Sequence, residues 1–224
     1  VTMTFEDAQR VFARAWLAKE FYDFVDVDGF GAANFGDALR CVRYGGSFYA
    51  TCTDARALCG QNPETLSRAF GNAVVAPSRP GVNEIALRVF IGDVVRRGAA
   101  IGISATPLFS LFHPHGPVFR VMLRVEAMRG EWDREHVGHV GRCRTCGDAR
   151  IIDPSELGGA FCHTCDGRRA RIRAGTTVTT TTTTTTTGDD DDDELPGGND
   201  GGDQRSRVDG SGPMWLGPLH ERET

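Results

Sequence analysis

The chain has 224 residues, 25 of them Lys or Arg and 30 Asp or Glu, which gives a formal net charge of −5 that is misleading about the folded part. Six of the acids form one run at residues 189–194, so the remaining sequence is close to neutral. No run of 18 apolar residues occurs and the first residues lack the pattern of a signal peptide, so we expect neither a membrane span nor secretion.

The first fifty residues alternate between helical and strand patterns. Apolar residues at three- and four-residue spacing predict a helix over residues 4–19, with Thr4 and Asp7 as a capping box. A β-rich run predicts a buried parallel strand over residues 21–28. Helical spacing returns over residues 32–42 and is expected to end at the glycines after Tyr44, before a second buried strand over residues 47–53.

The next eighty residues predict two helices and then two strands. Residues 63–70 follow the expected cap Asn62, and residues 83–97 form the longer helix. Residues 106–112 and 118–125 have strand patterns and are close enough in sequence to pair. This order indicates an α/β fold with a parallel sheet, helices on both faces and an antiparallel edge.

The first strand carries the most informative polar residues. Asp28 ends it, and the turn Gly29-Phe30-Gly31 follows. Ligands of open α/β sheets bind outside the carboxyl ends of the strands, so an acid beside an aromatic ring favours a site for a nucleobase. An ordinary strand and turn is the alternative. Asp54, Asn83 and Glu84 are expected near the same edge, although Asn83 is equally plausible as a helix cap.

Four cysteines have the spacing of a metal site: Cys143 and Cys146, then fifteen residues, then Cys162 and Cys165. Two such pairs can close a thiolate tetrahedron, which predicts a structural zinc ion; a redox dithiol is the alternative. His163 is expected to be a bystander. Nearby arginines have the charge to contact a nucleic-acid backbone or simply to be solvated.

The composition of the last fifty residues predicts where the domains of the chain begin and end. Residues 176–187 are almost entirely threonine and precede the acidic run, which predicts a disordered insert. An apolar segment at residues 212–219 is expected to pack on a folded part. The predicted domains are a partial α/β domain at 1–138, a zinc ribbon at 139–174, the insert at 175–211 and the start of a truncated C-terminal domain at 212–224.

Several motifs in order resemble one enzyme family. They are the strand end Asp28-Gly-Phe-Gly31, then Thr51-Cys-Thr-Asp54, Leu58-Cys-Gly60, the helix start Asn83-Glu-Ile-Ala-Leu-Arg88, the strand after His115 and the two cysteine pairs. In this order they resemble the tRNA (guanine-26-N2)-dimethyltransferases, most of all the plant and algal branch. The resemblance implies the C-terminal half of a Rossmann-like class I methyltransferase sheet, and hence a fragment.

The resemblance also implies roles. Asp28 would accept a hydrogen bond from the exocyclic amine of the target guanine, Phe30 would stack on the base, and Gly29 and Gly31 complete the motif. Asp7 and Ala8 would lie beside the adenine of S-adenosylmethionine. The implied partner is tRNA, with no protein partner, in an intracellular setting such as a nucleus or plastid.

Two departures from the family keep alternatives open. Gly29 stands where the family has proline, and the glycine-rich cofactor loop is not in the sequence. The alternatives are a catalytically silent RNA-binding relative and, further off, an amino-methyltransferase acting on DNA or protein.

Overall fold

The computed structural model describes residues 3–29, 35–74, 81–130, 136–157, 160–165 and 208–221. Phe30, Gly31 and the threonine and acidic runs of the predicted insert therefore lie outside the described residues. Among the described residues, no helix is long and apolar enough to span a bilayer.

The chain forms five helices and seven strands within the described residues. In chain order the first nine are α1 (Ala8–Leu17), β1 (Tyr22–Asp28), α2 (Gly36–Arg40), β2 (Val42–Cys52), α3 (Ala55–Leu58), α4 (Pro63–Phe70), α5 (Val82–Ala99), β3 (Ile103–His113) and β4 (Val118–Ala127). The last three are β5 (Val137–Cys143), β6 (Ala149–Ile152) and β7 (Val208–Trp215).

The larger sheet has the strand order β1-β2-β4-β3. β1 and β2 are parallel, whereas β4 runs antiparallel to both of its neighbours. The expected parallel pair with an antiparallel edge is therefore present, and the protein has a mixed α/β fold.

Alternation along the strands directs one face of this sheet into the core. Phe48, Phe119 and Val121 are fully buried on that face, in one cluster with apolar side chains of α2 and α5. The other face carries an exposed aromatic row, in which the ring of Tyr49 lies 6.4 Å from Phe24 and 6.1 Å from Phe109. The prediction of helices on both faces is therefore wrong for the described residues.

β1 is not the buried strand that its composition predicts. It lies at the edge of the sheet, and only Val25 of its seven residues is buried. Phe24 keeps 52% of its surface exposed because no described element covers that face. An apolar run alone does not reveal which neighbours a strand has.

Several predicted element boundaries are also wrong. α1 begins four residues later than expected because the Asp7 carboxylate caps it, accepting from the backbone N–H groups of Gln9 and Arg10 at 3.0 and 3.3 Å. The glycines after Tyr44 lie inside β2 rather than at a helix end. A Cβ at Gly46 would lie 2.7 Å from the carbonyl oxygen of Asp23, so glycine here permits close passage of β1.

α4 has the predicted bounds, and α5 holds it in place. Asn62 caps α4 and Gly71 ends it in a left-handed conformation. The guanidinium groups of Arg96 and Arg97 donate to backbone carbonyls at the end of α4. Both pair at 2.9 Å with the buried carboxylate of Asp93, which fixes them on α5.

The second sheet has the order β6-β5-β7 and is antiparallel throughout. Met214 and Trp215 of β7 are buried in the core cluster of the larger sheet, so the apolar segment does pack on the fold as expected. β7 begins at Val208, and it therefore crosses the predicted boundary between insert and C-terminal segment at residues 211–212.

Candidate functional site

Three side chains form a row across the larger sheet at the carboxyl ends of its parallel strands. Asp28 of β1 is paired in register with Thr51 of β2, and Thr51 with Arg120 of β4. The neighbours of Arg120 on β4, Phe119 and Val121, point into the core. Since side chains alternate along a strand, Arg120 points to the face opposite the core. We call Asp28, Thr51 and Arg120 the polar row.

Asp28 is exposed, and its carboxylate makes no hydrogen bond or ion pair within the described part of the chain. It is therefore available to a ligand at the edge where α/β sheets bind them. Gly29, which follows it, is half-buried. The structure thus places two of the four predicted motif residues.

A second carboxylate, Asp26, lies one pleat away on the same face. Partial burial raises its pKa, the negative charge of Asp28 raises it further, and Arg120 acts in the opposite direction. The three charged groups are therefore close enough to influence one another. The carboxylates of Asp26 and Asp28 can accept hydrogen bonds and the guanidinium of Arg120 can donate them, so the site suits a ligand that has both donors and acceptors.

Other residues expected at this edge have structural roles. Asp54 caps α3, its carboxylate accepting from the backbone N–H of Ala57 at 3.0 Å. Asn83 lies inside α5, whose cap is Gly81, so its predicted capping role is wrong. His113 is exposed at the end of β3, with its Nδ1 2.9 Å from the carbonyl oxygen of His115.

Glu84 also serves the fold. It pairs with Arg88 at 2.8 Å, and that arginine donates to the carbonyl oxygens of Trp215 and Gly217 at 3.2 and 3.0 Å. This contact fastens the end of β7 to the first turns of α5.

Asp7 and Ala8, the predicted adenine neighbours, are both exposed at the start of α1. The cap uses Oδ1 of Asp7 for both of its hydrogen bonds. The second carboxylate oxygen remains available for a further donor.

The four cysteines of the paired motif converge. Their sulfur atoms all lie within 4.8 Å of one another, and the Cys143–Cys165 and Cys146–Cys162 pairs are 3.8 and 3.5 Å apart. A zinc tetrahedron with bonds of about 2.3 Å has ligand–ligand edges of about 3.8 Å, so the cluster fits the ion. His163 is exposed and not part of this group.

Hydrogen bonds from backbone N–H groups favour the thiolate form of Cys143, which is the form that binds a metal. Burial acts to raise the pKa of its thiol, but hydrogen bonds from the backbone of Cys146 and Thr145, with those from neighbouring cysteines, bring it to about 6. The arginines nearby are less free than their number suggests, because Arg144 pairs with Asp209 at 2.7 Å and Arg150 with Glu156 at 2.9 Å.

Arg120 and Thr51 are not among the site residues that the sequence predicts. Arg120 lies in a strand of alternating apolar and polar residues, and only the strand order β1-β2-β4 brings it opposite Asp28. Thr51 belongs to a motif noted for its resemblance alone, and its burial is a property of the folded sheet.

Comparisons with known proteins agree with one another. A solved structure described as Trm1 from Pyrococcus horikoshii with S-adenosyl-L-methionine is 20% identical and superposes with a TM-score of 0.64 over 96% of this chain and 44% of its own, which shows a shared fold. The chain is 29% identical over 137 residues to the tRNA (guanine(26)-N(2))-dimethyltransferase of Methanospirillum hungatei, and 34% identical over 124 residues to that of Thermococcus kodakarensis.

These alignments cover 60% and 54% of the chain, and it spans only 36% and 31% of the two curated relatives. The family described as N2,N2-dimethylguanosine tRNA methyltransferase matches residues 1–224, the whole sequence. The chain therefore belongs to the N2,N2-dimethylguanosine tRNA methyltransferase family.

Proposed function

We propose that the complete gene product transfers methyl groups from S-adenosylmethionine to the exocyclic N2 amine of guanine 26 in tRNA. The observation that carries this proposal is the exposed, unpaired carboxylate of Asp28 at the end of a parallel strand, in a chain matched by the family over its whole length. The strand order β1-β2-β4-β3, with one antiparallel strand, supports the C-terminal half of a Rossmann-like class I methyltransferase sheet.

The proposed chemistry depends mainly on positioning. S-adenosylmethionine supplies an electrophilic methyl group when it is bound. Asp28 accepts a hydrogen bond from the N2 amine and orients it, and the backbone around Gly29 helps to aim the lone pair of the amine at the methyl group. In-line transfer gains chiefly from proximity and orientation. The base has to leave its stack to reach an exposed strand end, and Phe30 is the proposed stacking partner.

Asp7 and Ala8 are proposed to contact the cofactor. The unused carboxylate oxygen of Asp7 and the first turn of α1 offer an acceptor and an apolar methyl at one place. This composition suits the amine and the face of an adenine ring.

The Cys143, Cys146, Cys162 and Cys165 cluster is proposed to hold a structural zinc ion. Four thiolates fill a tetrahedron and leave no open position for a substrate, so the ion would stabilise the second sheet and take no part in methyl transfer.

A silent RNA-binding relative is the second candidate, and Gly29 in place of the family's proline is what favours it. The two functions differ in a direct assay with tRNA that carries guanine 26, labelled S-adenosylmethionine and the complete gene product. We expect dimethylguanosine at position 26, and a loss of about 100-fold or more in Asp28→Ala because the amine is no longer oriented.

Asp23→Ala is the matched control. Asp23 lies on the same strand but at its opposite end, where it pairs with Arg43 on the surface at 2.8 Å, and its removal is expected to leave the rate unchanged. A wild-type protein that binds the tRNA without methylating it would establish the silent relative instead.

A further inference from the structure

Two members of the polar row have buried polar atoms without partners. Thr51 is only 2% exposed, and its hydroxyl oxygen has no hydrogen-bond partner among the described residues. The Nε atom of Arg120 is also buried and unpartnered within that part of the chain. Both atoms have almost no accessible surface, so a ligand at the polar row can contact Arg120 only through its terminal nitrogens.

Arg124 shows that this is not a general property of the strand. It lies on β4 one pleat beyond Met122, on the same face as Arg120, and both of its terminal nitrogens contact the carboxylate of Glu221 at 3.3 Å. Arg120 makes no hydrogen bond or ion pair with any described residue. Its guanidinium stays charged at any physiological pH, acts on the nearby carboxylate of Asp26 without a hydrogen bond, and keeps its terminal nitrogens free to donate to a ligand.

The span of the polar row matches a purine. Adjacent strands are about 4.8 Å apart, so the Cα atoms of Asp28 and Arg120, two strands apart, are separated by about 10 Å. Side chains that rise from the two ends of the row, roughly perpendicular to the sheet, can contact opposite edges of one base. If Asp28 accepts from the amine edge of guanine, the O6 and N7 acceptors face the other end of the row.

We propose that Arg120 binds the O6 and N7 edge of the target guanine. Arginine donates in a fork to these two acceptors, whereas adenine presents an amino donor in place of O6 and is repelled. Thr51 lies between the two charged groups and is buried, so it forms the floor of the row. This assignment rests on the proposed methyl transfer and names the residue that gives it base specificity.

The experiment compares two tRNAs, one with guanine at position 26 and one with 7-deazaguanine, in which a C–H group replaces the N7 acceptor. The complete gene product and its Arg120→Gln variant are assayed on both, with Arg124→Gln as the matched control. For the wild type we expect 7-deazaguanine to lower kcat/KM by about 10-fold, and Arg120→Gln to lower it by about 10- to 100-fold on the natural tRNA.

The informative quantity is the coupling between the two changes. Once Arg120 is glutamine, removal of N7 should cost little more, while Arg124→Gln should keep the full penalty of the wild type. Arg120→Lys, which keeps the charge but not the fork, should also lose the distinction between the two tRNAs. Circular dichroism melting of each variant shows whether it is folded.

The outcomes separate this inference from the function on which it rests. If the wild type methylates guanine 26 but Arg120→Gln keeps the same 7-deazaguanine penalty, the edge assignment is wrong while the function stands. A uniform loss on both tRNAs would mean that Arg120 binds a phosphate or supports the fold. A wild type that methylates neither tRNA overturns both claims.

Discussion

Replacement of Cys162 by serine tests the metal centre. Cys162 is buried, and its sulfur lies 3.5 Å from that of Cys146. Serine keeps the size of the side chain but offers no thiolate, so only three of the four ligands remain. Loss of a residue that merely orients a ligand costs 10- to 100-fold in metal affinity, so we expect loss of the ligand itself to cost more than about 100-fold.

The structure also predicts where the fold should loosen. Among the described residues, the small cluster around the cysteines contains three other buried residues, Ile152, Ala160 and Val208. Such a core is too small to hold this module without a metal. The other end of β7 is independent of it, because Met214 and Trp215 belong to the core of the larger sheet.

The assay is zinc content by mass spectrometry together with amide hydrogen exchange. We expect about one zinc ion per wild-type chain and little in Cys162→Ser. Exchange should accelerate at residues 143–157 and 160–165, while Met214 and Trp215 stay protected. Cys59→Ala is the control, since Cys59 is buried outside the cluster and should leave zinc content unchanged. A wild type without zinc, or a variant that retains it, would refute the reasoning.

Three further predictions concern single positions. Gly92→Val should lower the free energy of unfolding in urea by about 1–3 kcal/mol, because a Cβ there would lie 2.9 Å from the backbone nitrogen of Trp215; unchanged stability contradicts this packing. Burial lowers the pKa of His139, so the folded protein holds this side chain neutral. Its contribution to the free energy of unfolding is therefore complete above the ordinary pKa of 6.5 and is lost as the pH falls below that value. In His139→Gln the free energy of unfolding should depend less on pH below 6.5 than it does in the wild type. Gly29→Pro should raise the methylation rate, because proline restricts Asp28 to the extended conformation that it already has in β1; a slower variant would show that this turn needs glycine.

Much of the fold follows from local chemistry. Asn62 before Pro63 predicts α4 with its bounds, because a side-chain cap and a preset proline act within one turn. The four cysteines predict their own cluster, because the spacing of two knuckles is set by metal geometry. Each of these signals depends on neighbouring residues and not on the rest of the fold.

The predictions from the sequence fail where contacts between residues far apart in the chain determine the structure. Gly46 has the sequence pattern of a helix end, yet it serves the close approach of β2 to Asp23. β1 has the composition of a buried strand, yet its position at the sheet edge exposes Phe24. Arg120 is one polar residue among several on β4 until the strand order places it in the row with Asp28. Local pattern cannot supply these pairings.

The cysteine cluster and the polar row are connected to opposite faces of the larger sheet. α5 leads into the start of β3, which runs parallel to β2, so the N-terminal turns of α5 lie at the edge where β1 and β2 end. Arg88 on those turns holds the end of β7, and β7 in turn carries Val208 of the cysteine cluster. β7 thus connects the cluster to the core side of the larger sheet, while Asp28, Thr51 and Arg120 occupy the opposite face. A loss of zinc should therefore loosen β7 at its Val208 end and leave both the Arg88 contact and the polar row in place, and substitutions in the row should leave the zinc content intact.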